Sequence, residues 1–172
     1  MTAPRVLLEG RPGSGKTTVA RKLLDELRAR GMAVSGFTTR ELRDGGRRVG
    51  FEIESADGQR GLLAHADLPG PPRVGKYGVD LASFERLALP SIAAPKGVVV
   101  IDELGKMELA SEGFRQAVSS LFERNLPIVA TVHAFAHPFT DKLKRRPDVE
   151  TIRISQRNRE ALPGRLADLV GG

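Results

Sequence analysis

A chain of 172 residues, 40% hydrophobic and 28% charged, has the proportions of a soluble globular protein: one ordinary domain with a real core, and no apolar run long enough to span a bilayer. Zero cysteines exclude disulfides and thiolate metal sites, and Met1-Thr2-Ala3-Pro4 leads straight into an apolar run with no room for a signal or transit peptide, so the expected location is the cytoplasm. The formal net charge of +6 suits a strongly anionic ligand and, more weakly, nucleic acid.

Arg5 to Glu9 is the short apolar-rich run of a strand buried in a parallel sheet. It delivers Gly10-Arg11-Pro12-Gly13-Ser14-Gly15-Lys16-Thr17-Thr18, which has Walker A spacing. Gly13 and Gly15 can take backbone angles closed to other residues, so successive N–H groups turn inward around an oxyanion. A helix opening near Gly15 adds its positive end, Lys16 is placed for the β and γ phosphates, and the Thr17 hydroxyl for Mg²⁺. Val19, Leu23, Leu24 and Leu27 form the apolar stripe of that helix, which stops at Gly31.

Met32 to Thr39 reads as a second strand. The turns Asp44-Gly45-Gly46 and Asp57-Gly58, with the alternating runs Val49–Glu54 and Arg60–His65 around them, predict antiparallel ribbon rather than crossover units: a β insertion over about residues 36–80. Pro69-Gly70-Pro71-Pro72 is a loop, Lys76–Val79 a short strand, and Leu81 to about Leu89 a helix broken at Pro90. Gly97 to Glu103 is a β-branched strand with two carboxylates at its C-terminal end, a Walker B pattern. Asp102 is placed to hold Mg²⁺ through a coordinated water, and Glu103 to face the γ-phosphate and the attacking water.

An amphipathic helix from about Ser111 to Arg124 follows, then a strand Pro127–Val132 whose end carries Thr131 and His133, candidates for sensing the γ-phosphate. Lys142, Lys144, Arg145 and Arg146 form a basic cluster without interleaved aromatic residues, so it reads as a solvated helix face before a nucleic-acid contact. Val149–Ser155 is the last strand. A terminal helix is expected to open at Gln156-Arg157-Asn158-Arg159, with an interruption at Pro163-Gly164. Arg157, Asn158 and Arg159 should therefore lie on the nucleotide rim, where an amide meets a base and a guanidinium a phosphate.

The Walker A stretch, Ser35-Gly36-Phe37 with Thr39, Glu41 and Arg43, Arg48-Val49-Gly50-Phe51, Gly75-Lys76-Tyr77-Gly78-Val79, Asp102-Glu103-Leu104-Gly105-Lys106-Met107-Glu108 and Asn158-Arg159 together resemble the family of small P-loop nucleoside-triphosphatases. The resemblance spans most of the chain. It implies an α/β, RecA-like, mainly parallel sheet flanked by helices, Mg²⁺ dependence, and hydrolysis of several nucleoside triphosphates to diphosphate and phosphate with little base selectivity. Glu9 stands where that family often has a neutral residue, and its side chain is expected to point away from the phosphates. A cation opposite Lys16 would complete the site; Lys106, Arg157 and Arg159 are the candidates. A P-loop kinase, with an acceptor pocket supplied by the insertion, and a nucleic-acid-associated ATPase module are the rival readings, and a monomer is the expected state. The guanine-reading Asn-Lys-x-Asp segment and an ABC-type Leu-Ser-Gly-Gly signature are absent.

Overall fold

The computed structural model describes residues 2–172. In chain order the elements are β1 (Arg5–Gly10), α1 (Lys16–Ala29), β2 (Val34–Asp44), β3 (Arg47–Ser55), β4 (Arg60–His65), β5 (Arg73–Val74), β6 (Tyr77–Val79) and α2 (Leu81–Ala93). After these come β7 (Val98–Leu104), a 3-10 turn (Glu108–Ala110), α3 (Glu112–Phe122), β8 (Ile128–His133), α4 (Pro138–Lys144), β9 (Glu150–Arg153) and α5 (Leu162–Gly171). Among the described residues, nine strands form one sheet in the order β5-β6-β4-β3-β2-β7-β8-β1-β9. None of their helices is long and apolar enough to cross a membrane.

The sheet has two halves that meet on β2. Strand β2 runs parallel to β7, and β7, β8, β1 and β9 continue in parallel. On its other edge β2 pairs antiparallel with β3, and the meander runs on through β4, β6 and β5. The sheet is therefore mixed, with helices on both faces, and the stretch expected as an insertion extends the main sheet rather than standing off it.

Alternation along the central strands sorts the core into two layers. Val6, Leu8, Val98, Val100 and Val129 pack against α1 and α5, while Leu7, Val99, Ile101, Ile128 and Ala130 pack with Phe37 against α2 and α3. Phe37, Phe84 and Phe114 form an aromatic triangle in the second layer, with ring centroids 5.1 to 5.7 Å apart. Asp80 caps α2 by accepting from the Ser83 amide at 3.0 Å, and Ser111 caps α3 by accepting from the Phe114 amide at 3.0 Å.

Two helix boundaries differ from the sequence expectation. Helix α2 is not broken at Pro90 but runs on to Ala93, because its buried stripe of Phe84, Leu87 and Ala88 continues to Ile92. A proline one turn from the helix end removes a single backbone bond, and burial of Ile92 offsets that. Helix α5 begins at Leu162, not Gln156, with Pro163 in the first turn, where its missing N–H is no loss.

Gly36 in β2 has φ 99°, and a Cβ there would sit inside the van der Waals shell of the Val100 carbonyl oxygen on β7. Gly36→Ala should lower stability by roughly 2–4 kcal/mol, through both the positive φ and the collision. Urea unfolding followed by circular dichroism reads this directly, and an unchanged midpoint would mean that β2 can lift away from β7 without loss.

Candidate active site

The C-terminal ends of β1, β7 and β8 bring the predicted site residues together. Helix α1 starts at Lys16 immediately after Gly15, which holds φ 100° at the N-cap, and no side chain caps the helix or places an acid in its first turn. Its first N–H groups stay open to an anion. A Cβ on Gly10 would strike Ser14 Oγ, so glycine there lets the loop fold back tightly, and Ser14 Oγ is buried without a partner. These are the features of a loop shaped around a phosphate.

Lys16 is buried; its Nζ donates to the Gly10 carbonyl at 2.6 Å and lies 3.7 Å from Glu103 Oε2. Asp102 is fully buried, at 0% exposure, and its carboxylate gathers donors from three elements. Thr131 Oγ1 on β8 donates to Oδ1 at 2.7 Å, Thr17 Oγ1 on α1 to the same oxygen at 3.2 Å, and the Thr39 amide and hydroxyl on β2 to Oδ2 at 3.4 Å. Burial pushes the Asp102 carboxyl upward, against these hydrogen bonds and the nearby Arg21. A regular strand would turn Asp102 and Glu103 to opposite faces. Here the β7–β8 ladder pairs Ile101 with Ala130 and resumes at Leu104 with Val132, so two residues of β7 oppose Thr131 alone. At this irregularity, which contains the cis Asp102–Glu103 peptide, both carboxylates address α1: Asp102 meets Thr17, and Glu103 meets Lys16.

Among the described residues no group of three or more His, Cys, Asp or Glu side chains could by itself hold a metal ion. Mg²⁺ does not require such a cage, because it keeps waters and takes oxygens from one or two protein groups and from substrate phosphates. Thr17 Oγ1 and Asp102 Oδ1, hard oxygen donors 3.2 Å apart beside the open loop, fit that chemistry.

Glu108 was not among the side chains the sequence singled out, although it closes the Asp-Glu-Leu-Gly-Lys-Met-Glu block. The 3-10 turn buries it, at 5% exposure. A Cβ on Gly105 would lie 3.1 Å from both Glu103 Oε2 and Glu108 Oε1, so the two carboxyl groups converge over that glycine. Burial, and then the charge of Glu103, hold Glu108 well above the carboxylate range; burial also raises Glu103, with Lys16 opposing. His133, 2% exposed at the end of β8, bonds Thr140 Oγ1 through Nε2 at 2.8 Å and stacks on Phe135 at 3.6 Å, and its Nδ1 is buried without a partner.

The remaining candidates are distributed around the rim. Arg11, Pro12, Gly13 and Thr18 are exposed on the loop and helix. Arg159 lies against Gly15, its Cδ 3.6 Å from where a Cβ would be. The Asn158 side chain is engaged in its own turn: Oδ1 accepts from the Ser155 amide at 2.8 Å and Nδ2 donates to the Arg153 carbonyl at 2.9 Å. Lys106 is exposed with Nζ 4.7 Å over the Phe135 ring, and Arg157 is exposed. Glu9 is clamped between Lys144 at 2.7 Å and Arg153 at 3.1 Å, which lower its pKa, and Arg146 pairs with Asp148 and Glu123. Of the basic cluster, Lys142 and Arg145 are exposed, and the other two cations are neutralised locally.

The loop, Glu103, Glu108 and Lys106 line one cleft of about 850 Å³. It runs from Arg11 and Lys16, past Glu103 and Glu108, to a wall of Thr39, Glu41, Arg48, Phe51 and Tyr77 on the antiparallel half.

Residues 5–167 match the family described as NTPase. The chain is 42% identical to the nucleoside-triphosphatase THEP1 of Thermotoga sp. (strain RQ2), covering 96% of this chain and 95% of that protein. It is 40% identical to the human cancer-related nucleoside-triphosphatase, covering 98% and 95%. The crystal structure of THEP1 from Aquifex aeolicus superposes with a TM-score of 0.87 at 30% identity, over 98% of this chain and 99% of the other. The solution structure of the human protein gives 0.82 at 38% identity, over 96% of each. With the open P-loop, the paired acids on β7 and the mixed sheet in agreement, the chain belongs to this family of nucleotide-hydrolysing P-loop enzymes.

Proposed function

We propose that the whole chain, residues 1–172, acts as one catalytic domain that hydrolyses ATP, GTP, CTP, UTP and their deoxy forms to diphosphate and phosphate, with Mg²⁺, broad base tolerance and slow turnover, in the cytoplasm. The observation that carries the reading is the convergence of Lys16, Thr17, Asp102 and Glu103 within hydrogen-bond or ion-pair reach across α1 and β7.

Phosphoryl transfer has a loose transition state, so the protein has to align water with the γ-phosphate and neutralise charge on the transferring group. The loop amides from Gly13 to Thr18 and the open end of α1 bind the polyphosphate, and Lys16 leaves the Gly10 carbonyl for the β and γ oxygens. Thr17 and, through water, Asp102 would hold Mg²⁺, which supplies charge neutralisation at the β and γ oxygens when bound. Glu103 accepts a hydrogen bond from the attacking water and orients it, and burial together with the charge of Glu103 favours the neutral form of Glu108 beside it. His133 Nδ1 is the free polar atom of the cleft's β8 side and is available to the γ-phosphate or its water.

Broad base tolerance is supported by Asn158, whose amide is committed to the 153–158 turn rather than to a base edge. Slow turnover is supported by Lys106, which must leave the Phe135 ring before it can serve as the cation opposite Lys16. The internal pairing of Lys144 and Arg146 favours a nucleotide enzyme over a nucleic-acid module.

Glu103→Gln keeps the side chain's shape and removes its charge, so it should bind Mg-nucleotide within a few-fold of wild type and lose about 10²-fold or more in kcat. Phosphate release and nucleotide titration read the two quantities separately, and unchanged release would remove Glu103 from the mechanism. Lys16→Ala should weaken triphosphate binding more than diphosphate binding in the same titration; equal affinities before and after would mean that the loop is not the site.

The folded His133 takes up a proton only at about pH 4, held down by burial and then by Lys144, His137 and Lys16, whereas in the unfolded chain it does so near 6.5. The unfolded state binds more protons between those values, so stability should fall as pH drops through that window, by up to roughly 3 kcal/mol. Urea unfolding at about pH 7 and about pH 4.5 should show a smaller acid loss in His133→Gln than in wild type. Equal losses would assign acid sensitivity to other groups.

A further inference from the structure

The far half of the cleft is chemically unlike a polyphosphate site. The sheet order places β1, with the P-loop, two strands to one side of β7, and β3, with Phe51, two strands to the other. At ~4.8 Å per strand, each lies about 10 Å from the acids. On the hydrolase reading, Lys16 and Thr17 would hold a triphosphate with its γ end at β7, and we place its base on the side of the P-loop away from the antiparallel wall.

On the wall the lining turns aromatic and apolar. Phe51 and Tyr77 meet edge to face with centroids 5.3 Å apart, and the Arg48 guanidinium sits 5.3 Å from the first ring and 5.7 Å from the second. Tyr77 is buried, with Lys76 5.4 Å from its ring, and backs Phe51, the ring partly open to the cleft. Val74 and Met107 extend this surface. Arg48 Nε also donates to the Tyr77 hydroxyl at 3.0 Å, which locks the shelf. Beside it the Glu41 carboxylate, half exposed, is held in place by Arg43 at 2.7 Å and Arg48 at 3.2 Å. An apolar, ring-lined pocket with a few fixed polar groups is a small-molecule site. Ring faces suit a planar heterocycle, and a fixed carboxylate suits the hydroxyls of a sugar.

We propose that this shelf binds a second substrate, a nucleoside, whose ring packs on Phe51, whose sugar hydroxyls donate to Glu41, and whose primary hydroxyl takes the γ-phosphoryl group at Glu103. The inference rests on the hydrolase reading for the position of the triphosphate. In the transfer, the hydroxyl oxygen forms a bond to the γ-phosphorus and the bond from that phosphorus to the β–γ bridging oxygen breaks. The electron pair stays on the β-phosphate of the departing diphosphate, and the hydroxyl proton goes to the Glu103 carboxylate. The products are a nucleoside monophosphate and a nucleoside diphosphate, and water takes the same place when the shelf is empty.

The test incubates the full chain with Mg²⁺ and γ-phosphoryl-labelled ATP, alone and with millimolar adenosine, guanosine, cytidine, uridine or thymidine, and separates labelled monophosphate from labelled inorganic phosphate. At least one nucleoside should carry label. The ratio of transfer to release, which is independent of total activity, should fall about tenfold in Phe51→Ala, the loss expected for one stacking contact, and recover in Phe51→Tyr. Glu41→Gln, on an exposed position, should raise the KM for the nucleoside severalfold and serves if Phe51→Ala does not fold. Diphosphate formation with label only in inorganic phosphate for every nucleoside would overturn the proposal and leave hydrolysis standing. Competition between nucleoside and ATP for one site would overturn it by making the shelf the base site, and absence of any diphosphate would overturn both readings.

Discussion

The rest of the molecule is arranged around one buried carboxylate. Asp102 has no exposed surface, and an ionised carboxyl in such a place is costly unless donors surround it. Its donors come from Thr17 on α1, Thr39 on β2 and Thr131 on β8, so one side chain ties the P-loop helix to the strands on both sides of β7. Removing any of these elements would strand the charge. The order β2-β7-β8 at the centre of the sheet is thus a condition for keeping the acid there. A cation held by Thr17 and Asp102 would offset the burial that raises the carboxyl.

The placement of the candidate site was legible wherever it lies in a local pattern. Walker A spacing, the acid pair after a β-branched strand and the apolar stripe of α1 each depend on a few consecutive residues, and each is found where the sequence places it. What the sequence could not express depends on pairing. The register shift beside Asp102 and Glu103 is a relation between β7 and β8, and nothing in Val98–Leu104 alone encodes it. The continuation of β2 into the antiparallel half depends on which edge of β2 is free, which hairpin signals do not state. Pro90 and Pro163 show the same gap: a breaker's effect is set by its distance from the helix end and by what its neighbours bury. Glu108 had a sequence signal, its fixed spacing from Glu103, but its burial follows from packing.

Charge is distributed with the same economy. Near the outer strands Glu9, Glu123 and Asp148 pair with Lys144, Arg146 and Arg153. Glu9 sits one residue before the P-loop, where a free carboxylate would repel phosphate. Clamped by two cations, it instead tethers β1 to α4 and β9, and Lys144, while holding it, also donates to the His133 carbonyl at 3.1 Å. The same lysine thereby fixes the strand end that presents His133 to the cleft.

The two halves of the sheet bear differently on what can attack the γ-phosphate. On the proposed reading the parallel half would hold and polarise a triphosphate, and its geometry does not distinguish water from an alcohol, since Glu103 would orient whichever hydroxyl stood beside it. Discrimination must come from what else occupies that position. The Glu103 side chain keeps 28% of its surface exposed, so water reaches it while the cleft is open on the far side. A ligand seated on the antiparallel wall would remove that water and put its own hydroxyl in its place. An apolar shelf adds nothing to hydrolysis, which needs only solvent; its aromatic lining and anchored carboxylate make physical sense as the half of the cleft that decides which oxygen receives the phosphoryl group.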